Sequence, residues 1–263
     1  MCRETSVLQF SLLGSGSSGN ATLVAMPWGK ILIDCGLSFR QIQLRAADLG
    51  LDLSDLKAVF VTHEHSDHVA GLGVLSRKLS VPLYMTAGTY EALPRQVGRP
   101  ESCRLFDAGE SFALNGVRVQ SFSVSHDAAD PVSYCIEHED AKLGIAGDLG
   151  HPSELVRTRL ERSHALVLEA NYCPRMLQAG KYPPAVQQRI RGRFGHLSNQ
   201  DACGLLSNLI HDGLQLVVLV HISEENNTAQ LAESMARRAL GDRPAHVHVA
   251  TKDRPTPLFE IRA

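Results

Sequence analysis

No apolar stretch of this 263-residue chain approaches the roughly 20 residues that a membrane-spanning helix needs. The opening Met1-Cys2-Arg3-Glu4-Thr5-Ser6 also lacks the apolar centre of a signal peptide, so a cytoplasmic protein with no membrane partner is expected. Six cysteines (Cys2, Cys35, Cys103, Cys135, Cys173 and Cys203) are scattered without a C-x-x-C pair. That spacing excludes a structural zinc finger and suits reduced thiols. A strong charge imbalance is missing as well: 26 Lys and Arg stand against 28 Asp and Glu, a net charge of -2, which argues against a generally basic nucleic-acid protein. Finally, no shift in composition divides the chain. With 44% hydrophobic residues it can bury a sizeable core, and one domain spanning 1–263 is expected.

What is present is concentrated histidine. Ala58-Val59-Phe60-Val61-Thr62 is short, β-branched and aromatic, the pattern of a buried strand, and His63-Glu64-His65-Ser66-Asp67-His68 follows directly. Three imidazoles and a carboxylate at this spacing would be costly to crowd together without a cation. Further ligand-type residues fall at other strand exits. Val117 to Val124 alternates as a strand and ends at Ser125-His126-Asp127. Lys142 to Ala146 runs into Gly147-Asp148-Leu149-Gly150, and Leu216 to Val220 delivers His221. Together His63, His65, Asp67, His68, His126, Asp148 and His221 match a two-metal arrangement. Three histidines serve one ion, Asp67, His68 and His221 the other, and Asp148 lies between. His138, His151, His164, His211, His246 and His248 lack such partners and read as surface or packing residues.

The chain resembles the metallo-β-lactamase fold hydrolases, which pair H-x-H-x-D-H with later His, Asp and His ligands. The resemblance implies an α/β protein, an αββα sandwich of two mixed sheets with helices on both outer faces. The alternation of strands and helices along the chain suits the same architecture. Four further segments resemble the YycJ/WalJ-type subfamily of that fold: Phe10 to Asn20, Ile33-Asp34-Cys35-Gly36, Gly195 to Asn199, and His221 to Asn227. That subfamily is associated with DNA exonuclease activity, so the resemblance implies a 5′-to-3′ DNA exonuclease. Asn171-Tyr172-Cys173 departs from the pattern, which would place an aspartate third, and the role of that third residue is left open. The ligand types suit two divalent ions, zinc by preference, with manganese or iron also compatible.

Gly14-Ser15-Gly16-Ser17-Ser18-Gly19 formally matches a dinucleotide-binding fingerprint, with Asp34 about twenty residues on. That motif must open a helix, whereas Ala21 to Val24 followed by Pro27-Trp28-Gly29 is strand and turn. No nucleotide cofactor is expected. The glycines read as a tight hairpin near the site, and Asp34 as a residue that orients a histidine ligand. Elsewhere strands are expected over 7–13, 21–26, 30–34, 83–86, 134–137, 165–168, 246–250 and 258–261. Helices are expected over 39–49, 69–79, 199–212 and 228–240.

Between Glu169 and Asp201 there is no acid, while Arg175, Lys181, Arg189, Arg191 and Arg193 precede His196. A solvated helix face is one reading of such a run. The reading favoured here is a phosphate-binding wall formed by Arg189, Arg191 and Arg193 with Ser198 and Asn199. The expected chemistry is phosphodiester hydrolysis by a hydroxide bridging two metals about 3.5 to 4 Å apart. Asp67 would act as ligand and proton acceptor, and His196 would bind a phosphate oxygen or protonate the leaving oxygen. The alternative is a cytoplasmic small-ester hydrolase, a glyoxalase II-like thioesterase or a lactonase. Nothing in the sequence separates DNA from RNA.

Overall fold

The computed structural model describes residues 7–100 and 102–263; Met1 to Ser6, with Cys2, lie outside them. Strands that are apolar on both faces must be covered on both faces, and this chain has many. The first half runs β1 (Leu8–Gly14), β2 (Ala21–Met26), β3 (Gly29–Ile33), α1 (Phe39–Asp48), β4 (Leu56–Phe60), α2 (Ser66–Val69), α3 (Leu72–Leu79), β5 (Leu83–Thr86), α4 (Ala87–Ala92) and β6 (Cys103–Phe106). The second runs β7 (Ser111–Leu114), β8 (Val117–Ser123), β9 (Val132–His138), β10 (Ala141–Ala146), α5 (Glu154–Leu160), β11 (Ala165–Glu169), α6 (Pro174–Ala179), α7 (Pro184–Ile190), α8 (Asn199–Leu209), β12 (Leu216–Val220), α9 (Ala229–Leu240), β13 (His246–Val249) and β14 (Phe259–Ile261).

Two seven-stranded sheets result, ordered β14-β1-β2-β3-β4-β5-β6 and β13-β12-β11-β10-β9-β8-β7. In each, an antiparallel meander leads into parallel strands: β3 to β6 in the first and β10 to β13 in the second. The halves therefore repeat one plan without close sequence similarity. The period of two along each strand divides its side chains between layers. On β12, Leu216, Val218 and Val220 join the core between the sheets, while Val217 and Leu219 face the layer that holds α8 and α9. On β4, Ala58 and Phe60 point to the inter-sheet core and Val59 to the layer under α1 and α3. The four layers make the αββα sandwich expected from the resemblance.

The helix expected over 69–79 is instead two. Gly71 N donates to Cys35 O, and an added Cβ there would lie 2.0 Å from the Leu37 carbonyl oxygen, so the chain bends where α2 meets α3. The short elements α4 to α7, β6 and β7 went unforeseen because few residues carry their periodicity.

An aromatic cluster locks the sheets together beside the histidine loop. Phe60 stacks on Tyr84 at 4.5 Å and meets Tyr134 edge-on at 5.6 Å. Tyr134, from the opposite sheet, donates its hydroxyl to Val61 O at 2.7 Å, just before Thr62 and His63. Tyr134→Phe would leave that carbonyl unpaired in a dry interior. It is expected to lower stability by about 1–3 kcal/mol in urea unfolding, with little change in the slope of the transition.

Candidate metal centre

Most of the ligand-type residues sit just past the end of a strand, and three do so in an unusual backbone conformation. Asp34 after β3, Asp148 after β10 and His221 after β12 have φ of 62°, 41° and 55°. The left-handed region is uncommon outside glycine but tolerated by Asp and His. It turns each side chain out of the strand direction and toward the gap between the sheets, and such strain concentrates at functional sites.

The histidines are held by their outer ring nitrogens. His63 Nδ1 lies 2.9 Å from Thr62 Oγ1, His68 Nδ1 is 2.8 Å from Asp34 Oδ2, and His126 Nδ1 is 3.1 Å from the Gly195 carbonyl oxygen. A ring whose Nδ1–H donates to such a partner keeps its Nε2 lone pair for a cation. His65 is presented the other way, with Nδ1 facing His63 Nε2 at 3.1 Å and His126 Nε2 at 3.3 Å. Asp34, fixed by the Thr62 backbone N–H at 2.7 Å and by the Thr62 hydroxyl, lies against His68.

Among the described residues, three groups of ligand atoms converge: His63, His65 and His126; His63, His68 and Asp148; and Asp148, Glu169, His196 and His221. Asp148 connects them. Its Oδ2 lies 2.7 Å from His68 Nε2 and 3.5 Å from His63 Nε2, and its Oδ1 contacts His221 Nδ1. Asp67 stands at the edge, 3.6 Å from His68 Nε2. Asn20 Nδ2 holds its carboxylate at 3.1 Å and also lies 2.9 Å from His68 Nε2. The glycine-rich hairpin thus serves the site through Asn20, and through Ser15, whose Oγ accepts from His221 N at 2.9 Å. Gly36 allows this approach, since a Cβ there would lie 1.6 Å from Asp67 O.

Glu169, fully buried at the end of β11, was absent from the expected set. Its Oε1 meets His196 Nδ1 at 2.7 Å and His221 Nδ1 at 3.1 Å, and its Oε2 accepts from Leu149 N and Leu197 N. Burial opposes its charge, but the nearby His196 and His221 outweigh it and hold the carboxyl down at about 2. Its signal was available: β11 lies between β10 and β12, whose exits carry Asp148 and His221. Burial also opposes a proton on His196, yet Glu169 raises its pKa. His63 moves the other way, lowered by burial and by its neighbour His68. Neutral imidazoles on one side and carboxylates on the other form a donor set that fits two divalent cations.

Two expected phosphate contacts lie elsewhere. Ser198 is buried and caps α8, its hydroxyl accepting from Asp201 N and donating to Asp201 Oδ2. Asn199 is buried with its amide paired to that of Asn227, so neither offers a free group to substrate. Arg189, Arg191 and Arg193 are exposed, and Arg189 lies 3.4 Å from Asp127. In the departing tripeptide, Asn171 donates to His221 O at 2.8 Å, and Cys173 is the residue before α6, its N–H bonded to Asn226 O. The third position thus has a backbone task, starting α6. No described helix is long and apolar enough to cross a membrane.

The family described as "Beta-lactamase superfamily domain" matches residues 29–222. Exodeoxyribonuclease YycJ of Bacillus anthracis is 34% identical over 238 residues, covering 90% of this chain and 90% of the relative. Exodeoxyribonuclease WalJ of Streptococcus pneumoniae serotype 2 (strain D39) is 33% identical over 263 residues, 96% of this chain and 98% of the relative. The crystal structure of the metallo-β-lactamase fold protein YhfI from Bacillus subtilis superposes with a TM-score of 0.71 at 14% identity, covering 97% and 99% of the two chains. By sequence and by fold, this chain belongs to the metallo-β-lactamase superfamily and is a metal-binding hydrolase with exonuclease relatives.

Proposed function

We propose that the whole chain is one hydrolase domain acting as a 5′-to-3′ DNA exonuclease with two divalent ions, zinc by preference. The observation that carries phosphodiester over thioester chemistry is the pairing of His196 with Glu169 beside Asp148 and His221. A sugar alkoxide leaves poorly unless it is protonated, whereas a thiolate leaves without help, so an acid here has a use in one reaction and little in the other. The choice of DNA rests on likeness to the two exodeoxyribonucleases.

His63, His65, His126, Asp67, His68, Asp148 and His221 would hold the ions. When bound, two such cations acidify water and neutralise charge on the phosphoryl oxygens. The chain's own groups then divide the remaining work. Glu169 keeps the proton on His196 Nδ1 and so sets which ring nitrogen faces the reaction; His196 donates from its other nitrogen to the leaving oxygen. Asp67 stands ready to take up a proton, steadied by Asn20. Arg191 and Arg193 add fixed positive charge for the strand's phosphates. Beside His196 and His221 lies a cavity of about 650 Å³, bordered by Tyr182, Ser223, Thr228 and Thr251, large enough to receive a terminal nucleotide.

His196→Ala is expected to lower kcat on end-labelled DNA by roughly 10²- to 10⁴-fold with metal content unchanged by elemental analysis. Loss of metal instead would make His196 a ligand. Asp148→Ala should abolish metal-dependent turnover. A folded Asp148→Ala protein working at the wild-type rate would rule out the two-metal scheme. Product ladders from 5′- and 3′-labelled DNA and RNA, with manganese or zinc, give polarity and sugar preference; cleavage of thioesters or lactones alone would favour the small-ester alternative.

A further inference from the structure

Aromatic residues are scarce in this chain, at 5% of the sequence, and nearly all its phenylalanines are used in the interior. Phe10, Phe60 and Phe106 lie in the inter-sheet core with Phe112 and Phe259 packed against it, Phe122 in the core under α8, and Phe39 against the one under α1. Phe194 is the eighth. It belongs to none of these clusters and is 58% exposed. A single apolar residue on a surface is ordinary and by itself needs no explanation. The placement of this one is not ordinary.

Phe194 is carried by a closed turn between α7 and His196. Gly192 N bonds Arg189 O, Gly195 N bonds Gly192 O, and His196 N returns to Ile190 O at 2.8 Å. Gly195 has no room for a side chain, since a Cβ would lie 2.1 Å from Ile190 O and 2.3 Å from Arg189 O. The turn also packs on the loop after β10, where a Cβ on Gly150 would lie 2.3 Å from Arg193 O. The carbonyl following Phe194, that of Gly195, accepts from His126 Nδ1, and the next residue is His196. A fixed turn therefore places the exposed Phe194 one residue before the Gly195 carbonyl that meets His126 and two residues before His196, the residue read as the acid. Arg191 and Arg193 precede Phe194 on the same turn, exposed and without an acidic partner among the described ion pairs.

Resting on the phosphodiesterase reading above, we propose that Phe194 is a specificity-determining residue: its ring stacks on a nucleobase of a single-stranded substrate next to the scissile phosphate, while Arg191 and Arg193 hold the adjoining phosphates. A ring face and a guanidinium alternating along a surface is the chemistry that binds unpaired strands without regard to sequence. A base inside a duplex has both faces already stacked, so the same contact selects single-stranded ends.

The test compares steady-state cleavage by metal-loaded wild type, Phe194→Ala and Phe194→Trp on a single-stranded DNA oligonucleotide and on the same strand with tetrahydrofuran abasic sites beside the scissile bond. Removing a stacking partner costs roughly tenfold or more in binding. Phe194→Ala should therefore raise KM on the base-bearing strand about tenfold, with kcat largely kept, and lose the preference over the abasic strand; Phe194→Trp should restore both. Wild-type cleavage with a KM that neither substitution changes would overturn the stacking role and leave the nuclease reading intact. A wild-type protein that cleaves no strand would instead remove the nuclease reading, and this proposal with it.

Discussion

Taking Glu169 and Asp148 out of water is the hardest thing this structure does. A carboxylate moved into a low-dielectric interior loses far more than an ordinary hydrogen bond returns, so it survives there only when every lone pair has a partner. Glu169 meets that demand with two backbone N–H groups, from Leu149 and Leu197, and two imidazoles, His196 and His221. These four partners come from the loop after β10, the segment before α8 and the exit of β12. One buried side chain thus ties three separate loops to the end of β11. Asp148 does the same across the sheets, touching His68 from the first half and His221 from the second. The loops can be long and irregular because these charges fix where they end.

The scaffold makes this affordable by its symmetry of plan. Both sheets finish their parallel strands at the same edge, so side chains distant in sequence are delivered to one gap. Rigid strands, buried on both faces, supply the precision; left-handed residues at their exits supply the turn. The inter-sheet aromatic cluster lies beside the His63 loop, and Tyr134 from the opposite sheet bonds the Val61 carbonyl just before it.

How much of this was legible follows from what each feature demands locally. The H-x-H-x-D-H cluster announces itself, because so many ligand types in one loop have little other use. His126, Asp148 and His221 were found by asking which strands end in a ligand, and the same question put to β11 would have found Glu169. Ser198 and Asn199 were misread because a helix cap and an amide pair look, in sequence, like free polar groups. The polar duty of Asn20 was likewise hidden behind its glycine neighbours. The break between α2 and α3 could not be seen either, since it depends on how closely Gly71 approaches Leu37, a contact between distant segments. Short elements such as α6 and α7 have too few residues for periodicity to show.

The position of β14 has a consequence for how the molecule is made. This last strand does not extend the second sheet but returns to pair with β1, and the buried hydroxyls of Ser11 and Thr256 meet across 245 residues of sequence. During synthesis the β1 edge of the first sheet therefore stays unpaired by β14 until Phe259 to Ile261 have emerged. A translation product that stops after β13 would carry the histidine cluster on a sheet whose β1 edge lacks its β14 partner.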